Sequence, residues 1–440
     1  MRTRLLKLWD NLQSNFWFVP VMMAVAAILL ASSSSAIDKM LPTSAVEAPG
    51  GWVYTGGAEG ASAVLQTIAG SMITVAGVVF SLTLVALSLA SSQFGPRLLR
   101  NFMRDRTTQV TLGTFIATFL YCLLILRTIR WDAEATFVPQ FSVTLGVGLA
   151  IASLWVLIHF IHHVSVSIQA DEIVARVGDD IEHGINRLFP QEIGEERPDA
   201  VRDDLPALCK EAPVVVPAPD DGYIQIIDAE ALMDLAKQEE LVLRIERLPG
   251  QYVIEGSPLV SAWPAERVEE HLMHRIDSAF VVGTHRSTGQ DLEFALYQLV
   301  EVALRALSPG INDPFTAVAC VDRLASALCR LARRDMPSAL RYDADGHLRV
   351  IAPIAGFPAL LDAAFNQIRH SARTNAAVTQ RLLEAIGLVA TVALRRADRH
   401  ALQRHAHYLI RGAQEAPHEA DAVEAMEEQY AEISLLLHHG

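Results

Sequence analysis

Residues 61–92 contain no charged side chain. A run of that length exceeds the ~20 apolar residues a helix needs to cross a bilayer. Inside it, Thr67, Thr74, Ser81 and Ser88 recur every seven positions. Gly70, Gly77 and Ser91 hold three of the four interleaved positions, and Leu84 holds the other. Alternating spacings of three and four put all eight on one face of a helix. The rest of the run is mostly Val, Leu, Ile, Ala and Phe. Such a helix shows aliphatic side chains to lipid and a narrow small-polar stripe to a second surface, either another helix or water.

The same apolar bias extends over the N-terminal part of the chain. Of 440 residues, 51% are hydrophobic and only 20% charged, with a mean hydropathy of +0.26. Four segments pass the length test for a membrane span: roughly 15–35, 61–92, 108–126 and 137–165. The remainder has no such run and reads as soluble. The expected fold class is an α-helical membrane domain of four transmembrane helices followed by a mostly α, α+β cytoplasmic domain with a small β-barrel-like unit. The expected boundaries are a membrane domain at 1–166, a helix extending from the fourth span at 167–190 and a linker at 191–221. A small β unit at 222–264 and a helical domain at 265–440 complete the chain.

Charge in the short loops sets the orientation. Arg2, Arg4 and Lys7 precede the first span, and Arg97, Arg100, Arg104 and Arg106 separate the second from the third. The opposite side holds Lys39, Arg127 and Arg130. The excess of positive residues predicts that the N-terminus and the C-terminal domain are cytoplasmic. Trp17, Trp52 and Trp131 fall near the expected interfaces, where indole is favoured. A competing reading takes the first apolar segment as a cleaved signal peptide, although Pro20 interrupts it. Residues after 166 carry a net charge of −17, which argues against nucleic acid as a partner. Cys122, Cys209, Cys320 and Cys329 form no CxxC or zinc spacing and are expected to be free thiols.

In the soluble part, Gly222 to Asp228, 241–246 and the Pro- and Gly-punctuated stretch 248–259 read as strands, with a short helix at 229–238. This order has a weak likeness to lipoyl-type modules, without a lysine at the hairpin. From Ala265 onward the chain is expected to be helical. The strongest helices are 291–307 and 314–333, the second opened by Asp313 as N-cap and Pro314 at the first helical position.

Two stretches carry a family resemblance. One is TVAGVVFSLTLVALSLASSQFGPR, from Thr74 to Arg97. The other is Gln290-Asp291 running into ALSPGINDPFTA, from Ala306 to Ala317. The chain resembles the bacterial predicted-membrane-protein family called domain of unknown function 2254. The resemblance implies an integral inner-membrane protein with an N-terminal membrane part and a soluble C-terminal part. It implies no activity, cofactor or catalytic residue.

Several constellations bear on function, each with a plainer explanation. The stripe Thr67, Gly70, Thr74, Gly77, Ser81, Ser88 and Ser91 suits close helix packing or the lining of a pore shared by several subunits. No carboxylate lies inside the expected spans, which argues against proton-coupled transport. His159 and His163, one turn apart beside His162, suit a metal or a proton sensor, or simply an interfacial position. Arg286, Asp291, Asn312, Asp313 and Asp322 suit a small-ligand site or a latch, or else caps and buried pairs. His400, Arg404 and His407 read as a solvated helix face. Walker, dinucleotide, GxSxG and HExxH signatures are absent, so catalysis is not expected and no cofactor is implied. Two functional readings stay open. One is a homo-oligomeric ion channel or pore with a cytoplasmic regulatory domain. The other is a membrane-anchored sensory or scaffolding protein whose cytoplasmic domain binds a partner or small ligand.

Overall fold

The computed structural model describes residues 16–40, 54–95, 105–130, 137–167, 169–189 and 211–438. They separate into two compact units, one ending at Glu172 and one starting at Ile173.

The first unit holds four helices long and apolar enough to cross a membrane: α1 (Phe18–Met40), α2 (Ala58–Phe94), α3 (Arg106–Leu126) and α4 (Gln140–Ser167). Helix α3 is the centre, with half of its apolar window buried, against 11% for α2. Asp105 opens α3 by accepting from Thr107 N and Thr108 N, the usual way an N-cap satisfies orphan donors. Small residues let the helices meet. A Cβ on Gly113 of α3 would come within 3.2 Å of the Pro20 backbone in α1. Helix α2 buries Ala61, Leu65, Ala69, Ala76 and Val79, a single face by their spacing. It ends at Gly95, whose φ of 110° and N–H bond to Ser91 O close the last turn.

Helix α1 runs past the expected end of the first span and carries Asp38. Its carboxylate accepts from Phe141 N at 2.9 Å, Ser142 N at 3.0 Å and Ser142 Oγ at 2.5 Å. It therefore caps α4 from a different helix. The basic residues Arg97, Arg100 and Arg104, and the indoles Trp52 and Trp131, lie outside the described residues.

The fourth span does not continue unbroken, as its sequence suggests. Helix α4 stops at Ser167, Gln169 N turns back to Val166 O, and α5 (Ala170–Leu188) starts afresh. Asp171 and Glu172 in its first turn favour this start through the helix dipole. The apolar stripe Val174, Val177, Ile181 and Ile185 is buried. In the second unit, Glu182 pairs with Arg330, and Arg334 donates to Ile185 O and Phe189 O.

The second unit combines two sheets with a helical layer. Its strands are β1 (Val214–Pro217), β2 (Gly222–Ile227), β3 (Val242–Ile245), β4 (Tyr252–Val253), β5 (Pro258–Trp263), β6 (Phe280–Gly283), β7 (Leu340–Tyr342) and β8 (Leu348–Ile351). One sheet has the order β1-β5-β3-β8-β7 and the other β4-β2-β6. Only β3 and β8 are parallel. Neither sheet closes, so the barrel-like unit expected at 222–264 is corrected to two open sheets. Strands from outside that range complete them: β1 from the expected linker, and β6, β7 and β8 from the stretch expected to be helical throughout. Helices α6 (Ala229–Gln238) and α7 (Glu270–Asp277) cover a core of Ile224, Leu232, Leu243, Leu259, Val260 and Ile276. The helical layer follows as α8 (Leu292–Ala306), α9 (Pro314–Ala332), α10 (Phe357–Ser371), α11 (Ala376–Ala390), α12 (Arg396–Gln414) and α13 (Ala420–His438).

The β2–β4 region meets α8 at one tight spot. Gly250 has φ +88°, and a Cβ there would lie 1.9 Å from Asp291 Oδ2. Replacing Gly250 by Ala should therefore destabilise the second unit by roughly 1–3 kcal/mol. Chemical denaturation of the full chain followed by tryptophan fluorescence measures this. Unchanged unfolding would show that the turn is not constrained.

Candidate functional site

The stripe on α2 faces away from its own bundle. Thr67, Gly70, Thr74, Gly77, Ser81 and Ser88 are exposed, and Ser91 is half-buried. Their face lies opposite the buried face of Ala61, Leu65, Ala69, Ala76 and Val79. A Cβ added at Gly70 or Gly77 would meet nothing within 4 Å. The hydroxyls of Thr67 and Thr74 donate back to Ala63 O at 2.7 Å and Gly70 O at 2.8 Å, so their protons are satisfied within the helix. Beside the stripe, an open apolar groove of about 530 Å³ runs between α2 and α4, bordered by Ala63, Thr67, Val147, Ile151 and Leu154.

Polar contacts inside the bundle lie elsewhere. Tyr121 OH donates to Ser142 O at 3.0 Å and meets Ser34 Oγ at 3.1 Å. Thr118 Oγ1 and Ser153 Oγ are 3.1 Å apart across α3 and α4. Of the three histidines on α4, His163 places Nδ1 3.6 Å from Asp105 Oδ2, and its ring centre is 6.3 Å from that of His159. His162 is exposed. Among the described residues, no group of three or more His, Cys, Asp or Glu is arranged to hold a metal.

The polar residues singled out in the soluble part do not form one site. Arg286 and Asp291 meet at the start of α8, with Arg286 Nε to Asp291 Oδ2 at 2.7 Å and Nη2 to Oδ1 at 2.9 Å. Asp291 is 4% exposed and also caps α8 through Phe294 N at 2.9 Å. The guanidinium lies over Phe294 and Tyr297 at 5.3 and 5.5 Å. Next to it, Gln290 stands in for a strand, accepting from Ile227 N at 2.8 Å and donating to Ile227 O at 3.1 Å. Asn312 and Asp313 sit beyond the other end of α8, whose 15 residues span about 22 Å. Asn312 supplies a turn with φ 49°. Asp313 caps α9 through Thr316 N and Thr316 Oγ1, and the Thr316 hydroxyl holds its carboxyl below the usual range. Asp322 pairs with Arg381 of α11 at 2.5 Å. These residues act as caps, a turn and ion pairs, and they lie in separate places along α8, α9 and α11.

A different cluster emerges on α10 and α12. Asp362 accepts from Arg404 Nη2 at 2.8 Å and lies 2.6 Å from His405 Nε2. His405 is fully buried, and Asp362, Arg369 and Tyr408 around it carried no sequence signal, because nothing in their spacing reveals that α10 packs beside α12. His400 and Arg404 border an open cavity with Arg396 and Pro358, and His407 is exposed. Cys122 and Cys320 are buried and Cys329 half-buried, all free; Cys209 lies outside the described residues.

With fold and geometry in hand, comparison with known proteins gives a family. The profile described as predicted membrane protein, domain of unknown function 2254, matches residues 13–387. The chain belongs to this family. Uncharacterized proteins of Mycobacterium bovis and Mycobacterium tuberculosis are 31% identical to it over 419 residues, covering 92% of this chain and 77% of each relative. No solved structure matches. Like its family, the chain is a membrane protein, with four apolar helices ahead of a mixed helical and sheet domain.

His405 yields a pH prediction. Burial pushes its imidazole below the ordinary value, against the pull of the Asp362 carboxylate. The unfolded chain takes up a proton near pH 6.5 that the folded unit resists. The stabilisation is therefore complete above about pH 6.5 and is lost as pH falls below it. Denaturation midpoints of the full chain should drop from pH 7.5 to 5.5 more steeply than those of His405→Gln. Equal slopes would show that the histidine does not titrate with folding.

Proposed function

We propose that the protein is a homo-oligomeric channel or pore of the bacterial inner membrane, with its N-terminus and soluble unit in the cytoplasm. Copies assemble through the outer face of α2. The observation that carries this reading is the direction of the stripe. A glycine in a helix interior costs about 1 kcal/mol relative to alanine, and nothing inside the subunit requires Gly70 or Gly77 to be small. Close approach from outside accounts for them. The groove beside Thr67 is open to a helix of a neighbouring copy. In this reading Thr74, Ser81 and Ser88 offer oxygen lone pairs along the shared axis. The soluble unit regulates, and no catalysis is assigned to the chain.

One observation favours a second reading, a tightly packed anchor for a sensory or scaffolding domain. The hydroxyl protons of Thr67 and Thr74 are already satisfied by their own helix, so these residues need no water.

Cysteine substitution of the full chain in native membranes separates the two. Thr74→Cys is compared with Ala69→Cys, which faces the subunit's own bundle. A pore predicts that Thr74→Cys reacts with a water-soluble thiol reagent and cross-links between copies under oxidation, while Ala69→Cys does neither. Cross-linking without labelling selects the packed anchor. If Thr74→Cys neither labels nor cross-links, the face meets lipid and both readings fail. In liposomes, Ser81→Glu should shift the permeant ions toward cations if α2 lines the path. Unchanged flux in a correctly assembled protein would remove α2 from the pore.

A further inference from the structure

The soluble unit is strongly acidic overall, yet one cleft collects cations. Arg369, His370 and Arg373 at the C-terminal end of α10 face Tyr408, Arg411 and Glu415 of α12 around a cavity of about 100 Å³. That is room for a small polyatomic anion, since one water needs only ~10–15 Å³ on this measure. The charges in the cleft do not balance. Glu415 serves two guanidiniums, Arg373 at 2.6 Å and Arg411 at 3.9 Å. Arg369 has no carboxylate at ion-pair distance among the described residues. Its guanidinium lies over the Tyr408 ring at 4.9 Å. Its Nη2 has only long contacts, 3.4 Å to Asn366 Oδ1 and 3.3 Å to His370 Nε2. Its Nε is buried without a hydrogen-bond partner. The one acid on its helix, Asp362, is engaged by Arg404 and His405.

Helix dipoles explain only part of this gathering. The C-termini of α10 and α12 each offer ~0.5 negative charge. Three guanidiniums facing those ends and one carboxylate still leave positive charge uncompensated. Burial above all pulls the Arg369 guanidinium below its ordinary value, with Arg411 adding to it against the opposing pull of Tyr408 and Asp362. Guanidinium forks match the oxygens of a phosphate group, which accepts several charge-assisted bonds at once.

We propose that this cleft binds a phosphate group, either inorganic phosphate or the phosphomonoester headgroup of a lipid, and that the ligand displaces the Glu415 carboxylate from Arg373 and Arg411. The site extends the function of the soluble unit and does not depend on how α2 assembles.

The test is calorimetric titration of the full chain, held in nanodiscs of phosphatidylcholine. Inorganic phosphate is titrated first and short-chain phosphatidic acid second, with sodium chloride at matched ionic strength as the control. Saturable binding of one or both is expected, and whichever binds more tightly identifies the source. Arg411 is largely exposed, so Arg411→Gln keeps the fold and should weaken binding about tenfold by removing charge-assisted bonds. Glu415→Gln removes the internal competitor and should tighten binding severalfold. Circular dichroism melts confirm that both variants fold. The proposal is overturned if neither phosphate compound binds, if sodium chloride gives the same saturable heats, or if neither substitution changes the affinity.

Discussion

The membrane unit depends on α3. Lipid offers no partners for polar groups, so each must be satisfied within the protein. Helix α3 supplies three polar cross-helix contacts, through Tyr121 to both Ser34 and Ser142 and through Thr118 to Ser153. The Asp38 carboxylate adds the other fixed point, closing the N-terminus of α4 from α1. These bonds fix helices that hydrophobic attraction alone cannot order in lipid, where tails are as apolar as leucine. With α3 at the centre, α2 has only one side left for its own bundle. Its aliphatic and alanine side is used there, and the stripe is turned outward as a consequence.

In the second unit, the loop from Gly283 to Asp291 has a comparable role. Gln290 completes the backbone pairing of Ile227, Asp291 caps α8, and Arg286 neutralises Asp291 in a nearly buried position. A buried carboxylate is stable only with such partners. Because Asp291 also lies against Gly250, the turn leading into β4, the α8 cap and the arginine form one arrangement. Removing any one of them leaves a buried polar group of another exposed to loss. The motif around Gln290-Asp291 therefore has a structural part in joining the β2 strand to the start of α8.

What the sequence revealed follows the range of the physical signals. The four apolar runs and the cap at Asp313 rest on local patterns of a few to some twenty residues, and all were legible. The stripe of Thr67 to Ser91 was legible as a stripe, but its direction depends on which face packs against α3. The strands β1, β6, β7 and β8 have four residues or fewer, too short to show alternation, and they form only because β5, β2 and β3 lie alongside. Asp38 capping α4 and the α10–α12 cleft join residues far apart in the chain. No spacing rule reaches that distance. The choice between a polar site and separate caps was open for the same reason: α8 holds Asp291 and Asp313 a full helix length apart, a separation set by the fold.

Electrostatics links the two halves of the functional picture. The part after residue 166 carries a net −17, and that field repels small anions from a distance. Screening limits it, since at physiological salt the Debye length is about 8 Å. Inside a cleft lined by Arg369, Arg373 and Arg411, local charges dominate, because the groups that surround an anion lie closer than that length. An acidic surface around a cationic cleft thus disfavours loose anion binding over the unit as a whole, and the proposed cleft is where several donors would match a phosphate group. Glu415 sharpens the selection further. A ligand with a single weak charge cannot displace a tethered carboxylate, whereas a dianion with several oxygens can.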